Sequence, residues 1–312
     1  MLRIGVVGLG NIAQKAYLPV MAQMQDQVDW VLCTRDPQKL TNLKQKFGFE
    51  SAVHTVQDLL ASKIDAVFIH TPTSTHTALI RQFLKAGVHV YVDKPISEDF
   101  TEVSELYRLA SQKNLLLTAG FNRRFAPLQA AVAVPKQPAV VMVQKNRADD
   151  PQPVQFAVYD LFIHAVDTAL FLAGVATRSE IIDCQYQWHE QAGNLQSCGL
   201  VMKTSNQTVY VLMNMQSGAN SETSESECQT ATKRLIDLTQ LAVRTSWGEQ
   251  VTRLPDWTPM LVQRGFAPLI HQFVDAVATT GANPVPPETS LLSHQLCAEL
   301  VADWQQRRIE KD

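Results

Sequence analysis

The stretch RIGVVGLGNIA, residues 3–13, decides the fold of the N-terminal half. An apolar run as long as one β-strand leads into Gly8-x-Gly10-x-x-Ala13, and a helical pattern follows. In such a unit the first glycine permits a tight turn, the second lets the backbone approach a pyrophosphate, and the small third residue lets helix and strand pack closely. The stretch therefore predicts a dinucleotide-binding turn. The residues expected against the cofactor are Gly8, Gly10, Asn11 and Ile12.

The pattern around this turn extends to about Gly120. Short apolar runs, DWVLC, DAVFIHTP, HVYVD and LLLTAGF, alternate with helical segments. Runs that are apolar on both faces and joined by helices are typical of a buried parallel sheet. Asp36-Pro37 predicts a helix N-cap with proline in the first turn, and Gly87 predicts the end of a helix that starts near Ser74. We expect a doubly wound α/β domain over residues 1–121.

The pattern changes after Gly120. The runs AVVMVQKNR, CGLVMKT and TVYVLMNMQ alternate or cluster β-branched residues between polar segments, which indicates an open, largely antiparallel sheet. Helices are predicted over GFAPLIHQFVDAVATTG and ETSLLSHQLCAELVADWQQRR. The Ser/Glu-rich stretch from Ser217 to Gln229 is predicted to be an exposed strand and loop. Together these elements predict a second α/β domain over residues 122–312.

Composition excludes several classes of protein. Hydrophobic residues make up 46% and charged residues 18% of the 312 residues, and no apolar run is expected to approach the ~20 residues that cross a bilayer. The N-terminus lacks a cleavable apolar region, so we expect a cytoplasmic protein rather than a secreted one. The five cysteines form no C-x-x-C pair, which argues against disulfides or structural zinc. A net charge of −3 without basic runs argues against nucleic acid as a partner.

The end of the second predicted strand bears on the choice of cofactor. It reads VLCTRDP and offers Thr34 and Arg35 where an acidic residue normally binds the ribose 2′-hydroxyl. Asp36 comes two positions later and is already expected to cap a helix. Without a carboxylate, a 2′-phosphate meets no repulsion, and Arg35 can pair with it. We favour NADP over NAD, the alternative being that Arg35 is a solvated surface arginine.

Three ionisable residues interrupt the apolar run YDLFIHAVD, residues 159–167. On a helix Asp160, His164 and Asp167 would share one face. They could be a helix-terminal acid and a core histidine, metal ligands, or an acid/base group in which Asp160 orients His164. No second histidine cluster accompanies them, so no metal is expected, but spacing alone does not decide between the other two.

A lysine supplies a second candidate group. VYVDKPIS places Lys94 at the carboxyl end of a predicted parallel strand, where doubly wound sheets hold their ligands, and Pro95 follows it. Lys145 and Arg147 share one face of a later predicted strand. They could meet an anionic or hydroxyl-rich substrate, but a solvated strand edge is the interpretation we favour for them.

The order of these motifs resembles the Gfo/Idh/MocA oxidoreductases across nearly the whole chain. The motifs are G-x-G-x-x-A, TPTSTH (71–76), AGVHVYVDKP, GFNRRF (120–125) and D-x-x-x-H-x-x-D. GNIAQKAYLP, VDKPIS, GFNRRFAPL and VQRGF are most similar to its MviM-like members. The resemblance implies a Rossmann domain followed by an α/β domain whose open sheet forms subunit contacts, and hence a homodimer or homotetramer.

The resemblance also implies roles for individual residues. The family's Glu-Lys-Pro motif falls on Asp93-Lys94-Pro95, with Lys94 near nicotinamide and substrate, and its D-x-x-x-H falls on Asp160 and His164. Asp167 is expected to be structural. Further residues implied for the cofactor are Thr71, Pro72, His76, Pro95 and Asn122, and for the substrate Arg123 and Tyr159. The chain departs from the family in Asp93, which replaces Glu, and in Phe162, which stands where many members have Gly and could narrow the pocket.

These residues imply an NAD(P)-dependent dehydrogenase or reductase that acts on a CH–OH group of a sugar or polyol. His164 would accept the hydroxyl proton, Lys94 would stabilise developing negative charge, and Asp160 would orient the imidazole. Two alternatives stay open. One is a nucleotide-binding sensor without turnover, and the other is a redox-neutral glycosidase that retains NAD.

Overall fold

The computed structural model describes residues 1–309, which form two compact units. The first unit comprises Met1–Gly120 and Phe266–Pro287, and the second comprises Phe121–Gly265 and the chain from Glu288 onward. This differs from the predicted single domain over 122–312, because residues 266–287 belong to the first unit.

Aromatic packing explains why residues 266–287 belong there. Phe273 is fully buried and meets the rings of Phe68 and Tyr91 edge-on, with centroids 5.2 and 5.5 Å apart. Both partners lie on strands of the first unit's sheet. A helix that buries its apolar face against that sheet is part of the same hydrophobic core, wherever it stands in the sequence.

The first unit is built on six parallel strands in the order β3-β2-β1-β4-β5-β6. The strands are β1 (Leu2–Val7), β2 (Val28–Cys33), β3 (Ser51–Val53), β4 (Ala66–Ile69), β5 (His89–Val92) and β6 (Leu117–Ala119). The strand order reverses between β1 and β4, and open α/β sheets hold their ligands at such a reversal. The prediction of a doubly wound parallel sheet is confirmed. The sequence missed only β3, which has three half-buried residues and therefore no readable pattern.

Helices cover this sheet, and their ends follow the predicted signals. The Asp36 carboxylate accepts a hydrogen bond from the Lys39 backbone amide at 3.0 Å, and Gly87 takes a φ of +82° just after the helix His76–Lys85. The regular helices are Leu18–Met21, Pro37–Phe47, Val56–Ala61, His76–Lys85, Phe100–Gln112 and Phe266–Thr279; Ala13–Tyr17 is π-helical, and Ala22–Met24 and Thr73–Thr75 are 3₁₀ turns.

The second unit is built on a nine-stranded sheet, β15-β14-β13-β12-β7-β11-β10-β8, with β9 paired to β10. The strands are β7 (Ala139–Ala148), β8 (Gln152–Pro153), β9 (Asp183–Gln191), β10 (Asn194–Lys203), β11 (Gln207–Ser217), β12 (Ser221–Cys228), β13 (Thr232–Ile236), β14 (Gln240–Thr245) and β15 (Gly248–Arg253). Among the described strand pairs of this sheet, β7 with β11 is the only parallel one, so the predicted largely antiparallel sheet is confirmed.

The helices of the second unit include one that packs on β7 and β11, Ile163–Ala173. The others are Gln129–Val132, Val154–Phe156, Met260–Gln263 and Pro287–Ile309; Ala157–Phe162 is π-helical, and Asn122–Phe125 and Arg178–Glu180 are 3₁₀ turns. Both predicted C-terminal helices are present.

The polar strand β12 corrects one prediction. The stretch from Ser217 to Gln229 was expected to be exposed, yet Ser224 and Ser226 are 5% and 0% exposed. β12 lies between β7 and β13, and Ser226 donates to the Val132 carbonyl at 2.6 Å. Hydrogen bonds to neighbouring elements make the burial of polar side chains tolerable, and such bonds leave no mark on local composition.

One helical segment corrects the prediction about apolar length. Val154–Ala173 is a continuous 20-residue helix with a mean hydropathy of 1.5 over its most apolar window. By length and composition it could cross a membrane, so the expectation that no apolar run approaches that length is wrong. Because 78% of that window is buried inside the protein, the segment also has the character of a core helix.

Candidate active site

The turn after β1 has the geometry that a dinucleotide requires. Gly8 takes a φ of +90°, and a Cβ there would lie 2.4 Å from the Thr71 amide nitrogen, so only glycine fits. A Cβ added to Gly10 would meet no heavy atom within 4 Å. Ala13 is fully buried, whereas Asn11 and Ile12 are exposed. The turn therefore leaves open space beside exposed helical N–H groups, which suits a pyrophosphate.

The end of β2 is followed by Thr34, Arg35 and the helix-capping Asp36. Thr34 is half-buried and Arg35 is exposed. The carboxylate of Asp36 is engaged by the Lys39 amide, as the N-cap prediction required. Within residues 1–309 the Arg35 guanidinium has no ion pair, which leaves it able to meet an anion.

Lys94 follows β5, and its backbone amide is bound by the Asp93 carboxylate, which Tyr17 also contacts. The Asp93 Oδ1 accepts from the Tyr17 hydroxyl and from the Lys94 backbone amide, both at 3.1 Å. Burial raises the pKa of the Asp93 carboxyl above its ordinary value, and the Lys94 charge and the Tyr17 hydroxyl oppose that rise. Lys94 itself is half-buried, and its peptide bond to Pro95 is cis. Tyr17 thus supports the shortened acidic side chain at this motif.

His76 lies inside the fold, between the loops that follow β4 and β5. Its Nε2 is 2.8 Å from the Thr71 carbonyl and its Nδ1 is 2.8 Å from the Pro95 carbonyl. Only 1% of the residue is exposed, while Thr71 is half-buried and Pro72 is exposed. His76 therefore ties together the loops that carry Thr71 and Lys94, and its predicted contact with the cofactor stays a prediction.

The buried His70 packs against Tyr17 in a tilted arrangement, with ring centroids 3.8 Å apart and ring planes at 30°. Burial lowers the pKa of His70 to about 3, and the nearby His76 acts in the same direction. Because burial disfavours the charged form, the His70 imidazole is neutral near pH 7.

In the second unit the D-x-x-x-H motif lies across a change of helix type. Asp160 belongs to the π-helical segment Ala157–Phe162 and is half-buried, and His164 lies in the first turn of Ile163–Ala173 with 8% of it exposed. A π-turn is wider than an α-turn and is frequent at functional sites. Tyr159 is 3% exposed and Phe162 is fully buried, so Phe162 packs in the core.

His164 lines a small cavity together with three charged residues, Arg123, Lys145 and Glu222. Arg123 binds Glu222 through Nε at 2.8 Å and Nη2 at 2.5 Å. Lys145 pairs with the same carboxylate, because it stands opposite Glu222 in the register of β7 and β12. The predicted substrate residues Arg123 and His164 thus lie at one cavity.

In this cluster the Glu222 carboxylate is held between two cations, the buried Lys145 and the half-buried Arg123. Burial acts to raise the pKa of Glu222, but Arg123 and Lys145 outweigh it and hold that pKa well below its usual range. Burial lowers the pKa of Lys145 to about 8, Arg123 acts in the same direction, and Glu222 opposes it. The expectation that Lys145 lies on a solvated edge is wrong, because β7 is an interior strand.

Asp167 has a structural position. Its carboxylate accepts two hydrogen bonds from Arg124, Nε to Oδ2 at 2.8 Å and Nη2 to Oδ1 at 2.5 Å, and one from Ser293 at 3.1 Å. The two side chains are 5% and 1% exposed. Burial raises the pKa of Asp167, and Arg124 opposes the rise. The ion pair joins the turn Asn122–Phe125 to two helices of the unit.

Asn122 is buried at the start of the 3₁₀ turn Asn122–Phe125. Its amide nitrogen donates to the Arg264 carbonyl at 2.7 Å, and a Cβ on Gly265 would lie 2.0 Å from the Asn122 carbonyl oxygen. Within the described residues, the Asn122 Oδ1 has no hydrogen-bond partner. Its role toward the cofactor stays a prediction.

Sequence reasoning missed Glu222 and Tyr17. Arg123 and Glu222 are 99 residues apart, and Tyr17 and Asp93 are 76 apart. Glu222 lies in a stretch where serine and glutamate alternate, so nothing local distinguished it.

Comparisons with known proteins fit this arrangement. Residues 2–121 match a family model described as "Oxidoreductase family, NAD-binding Rossmann fold", and residues 129–246 match "YceM-like, C-terminal domain". YceM of Salmonella typhimurium is 32% identical over 315 residues, which cover 97% of this chain and 98% of that protein. The chain belongs to the Gfo/Idh/MocA oxidoreductase family.

Solved structures of related proteins have the same fold as this Gfo/Idh/MocA oxidoreductase. A family oxidoreductase from Vibrio cholerae has a TM-score of 0.89 and 30% identity, with 99% of this chain and 100% of that chain covered. A dehydrogenase (MviM) from Clostridium difficile has a TM-score of 0.88 and 26% identity, with 97% and 99% covered. Among curated relatives, a myo-inositol 2-dehydrogenase of Thermotoga maritima is 26% identical, with 68% of each chain covered. The predicted MviM-like resemblance is confirmed.

Proposed function

We propose that this oxidoreductase transfers hydride between a nicotinamide cofactor and a secondary alcohol or ketone of a sugar or polyol. The observation that carries the proposal is the cavity at His164, whose lining includes Arg123, Lys145 and Glu222. The cavity has a volume of about 10 Å³, room for one group the size of a water or a hydroxyl, so a single substrate hydroxyl beside the imidazole is what it would admit. The name of the myo-inositol 2-dehydrogenase relative supports the same substrate class.

The proposed roles are those of an acid/base group and an electrostatic stabiliser. When bound, the nicotinamide supplies the hydride acceptor or donor. The His164 imidazole takes the hydroxyl proton during oxidation and returns it during reduction, and the Asp160 carboxylate favours its imidazolium. The Lys94 ammonium donates a hydrogen bond to the substrate oxygen, on which negative charge develops. Arg123 and Tyr159 would contact the substrate, and Asn122 would border the nicotinamide.

We propose NADP as the preferred cofactor. Arg35 is exposed, and the Asp36 carboxylate is engaged in its helix cap. An arginine without a competing carboxylate favours a 2′-phosphate over a free 2′-hydroxyl. Thr34, Thr71 and Pro72 would line the rest of the cofactor site.

We further propose a cytoplasmic homodimer or homotetramer. All five cysteines are free, which fits a reducing compartment. Tyr210 and Leu212 on β11 are 37% and 45% exposed, and such apolar side chains on a sheet face are candidates for a subunit contact. Light scattering on a sizing column measures the mass, and a monomer at all concentrations would contradict the subunit proposal.

A screen of polyols, sugars and their keto forms tests the activity through nicotinamide absorbance. Lys94→Ala and His164→Ala should each lower turnover by about 10²-fold or more, with cofactor affinity changed by no more than severalfold. Arg244→Gln is a matched control, because that arginine pairs with Glu249 on an exposed hairpin. Full activity in either of the first two variants would eliminate the proposed roles. Cofactor binding with no turnover would favour a sensor, and cofactor that never exchanges would favour the redox-neutral alternative.

A further inference from the structure

A second polar pocket of the second unit adjoins the cavity at His164. It has a volume of about 210 Å³ and is lined by Lys145, Arg147 and Arg264, together with Glu222 and Asp237. The Lys145–Glu222 ion pair lines both this pocket and the His164 cavity. Lys145, Glu222 and Leu238 therefore form the boundary that the two cavities share.

The carboxylates at this pocket are already engaged. Glu222 is bound by Arg123 and Lys145. The Asp237 Oδ1 accepts from the Glu222 backbone amide at 2.9 Å. A third carboxylate, Asp150, does not line the pocket but pairs with Arg147, which does, at 3.1 Å. Each of these carboxylates therefore already accepts at least one hydrogen bond.

The cations exceed these carboxylates by one. Arg123, Lys145, Arg147 and Arg264 stand against Glu222, Asp150 and Asp237. Within residues 1–309 the guanidinium of Arg264 has no ion pair. Arg264 is exposed at the rim, whereas only 8% of the Lys145 side chain is exposed. A buried ammonium backed by an unpaired guanidinium is an arrangement that recognises an oxyacid group.

We propose that this pocket is an acid-group subsite, and that the substrate is a sugar or polyol that carries one carboxylate or phosphate. Its volume is below the ~300 Å³ at which pockets for larger ligands begin, so it suits one acid-bearing end of a small molecule. The acid would be bound by Arg147 and Arg264 at the rim and by the Lys145 ammonium inside. This inference rests on the proposed function, since it names the substrate class of the same site.

Equilibrium binding tests the subsite without requiring turnover. The full chain, loaded with NADP, is titrated with glucuronate, glucose 6-phosphate and neutral glucose by calorimetry. We expect one of the two acids to bind at least about tenfold more tightly than glucose, since charge-assisted hydrogen bonds contribute that much or more. Which acid binds more tightly distinguishes carboxylate from phosphate as the recognised group.

Matched variants separate the subsite from general effects on the fold. Arg264→Gln and Arg147→Gln should each weaken acid binding about tenfold and leave glucose binding unchanged. Arg244→Gln removes a positive charge that does not line the pocket, and it should change neither. Equal affinity for glucose and both acids, or an unchanged acid affinity in both pocket variants, would overturn the proposal.

Turnover of the same compounds then tests the proposed function separately. Acid binding that responds to Arg264→Gln without any nicotinamide reduction would support the subsite and contradict the oxidoreductase proposal. Turnover of neutral polyols with no preference for acids would support the oxidoreductase proposal and contradict the subsite.

Discussion

Removal of the charge on Asp167 should destabilise the second unit strongly without removing a catalytic group. Asp167→Asn keeps the side chain's size but leaves the Arg124 guanidinium, 5% exposed, without its anion. Breaking a buried ion pair by removing one partner costs about 3–5 kcal/mol. For a domain of this size that corresponds to a fall of roughly 6–20 °C in Tm. Circular dichroism during thermal unfolding measures the shift.

A double variant tests whether the destabilisation comes from the unpaired buried charge of Arg124 and not from the loss of the ion pair's attraction. Arg124→Met with Asp167→Leu removes both charges, and Ser293 keeps its bond to the Thr289 carbonyl at 3.0 Å. Replacing a buried pair by apolar residues is often nearly neutral, so the double variant should be more stable than Asp167→Asn. Activity per folded molecule of Asp167→Asn should stay within severalfold of the parent. An unchanged Tm in Asp167→Asn, or a double variant that is less stable than it, would refute this reasoning.

Three further predictions follow from the cofactor turn, the end of β2 and the buried lysine. Gly8→Ala should abolish dinucleotide binding, since its Cβ would lie 2.4 Å from the Thr71 amide; fluorescence titration with NADPH that matches the parent would contradict this. Arg35→Ala should weaken NADPH binding about tenfold, ~1.4 kcal/mol, and leave NADH binding unchanged; tighter binding of NADH than NADPH by the parent would refute the NADP preference. Acid binding at the proposed subsite should weaken as pH rises through about 8, where Lys145 loses its proton in the folded protein; Lys145→Arg should remove that dependence, and calorimetry at several pH values measures it.

The sequence alone determined the elements with a local physical cause. Gly8 and Gly10 follow an apolar strand directly, and the requirement of a tight turn for glycine can be read without knowing the fold. Asp36 and Gly87 mark helix ends through bonds that reach only a few residues along the chain. The parallel sheet followed from runs that are apolar on both faces. Lys94, Asp160 and His164 could be predicted as catalytic residues because each lies in a short local motif.

Only the tertiary structure decided which charges meet and which are buried. Lys145 was expected at a solvated edge because two cations on one strand usually point to water, but β7 is an interior strand and places Glu222 opposite it. Glu222 itself lies in a stretch whose composition favours exposure, and its partner Arg123 is 99 residues away. The energy of an ion pair depends on burial and distance, and both are set by strand order rather than by neighbours in the sequence. The proposed catalytic motifs are local and could be predicted from the sequence. The charged pocket beside His164 is formed by residues from distant segments, and only the folded chain brings them together.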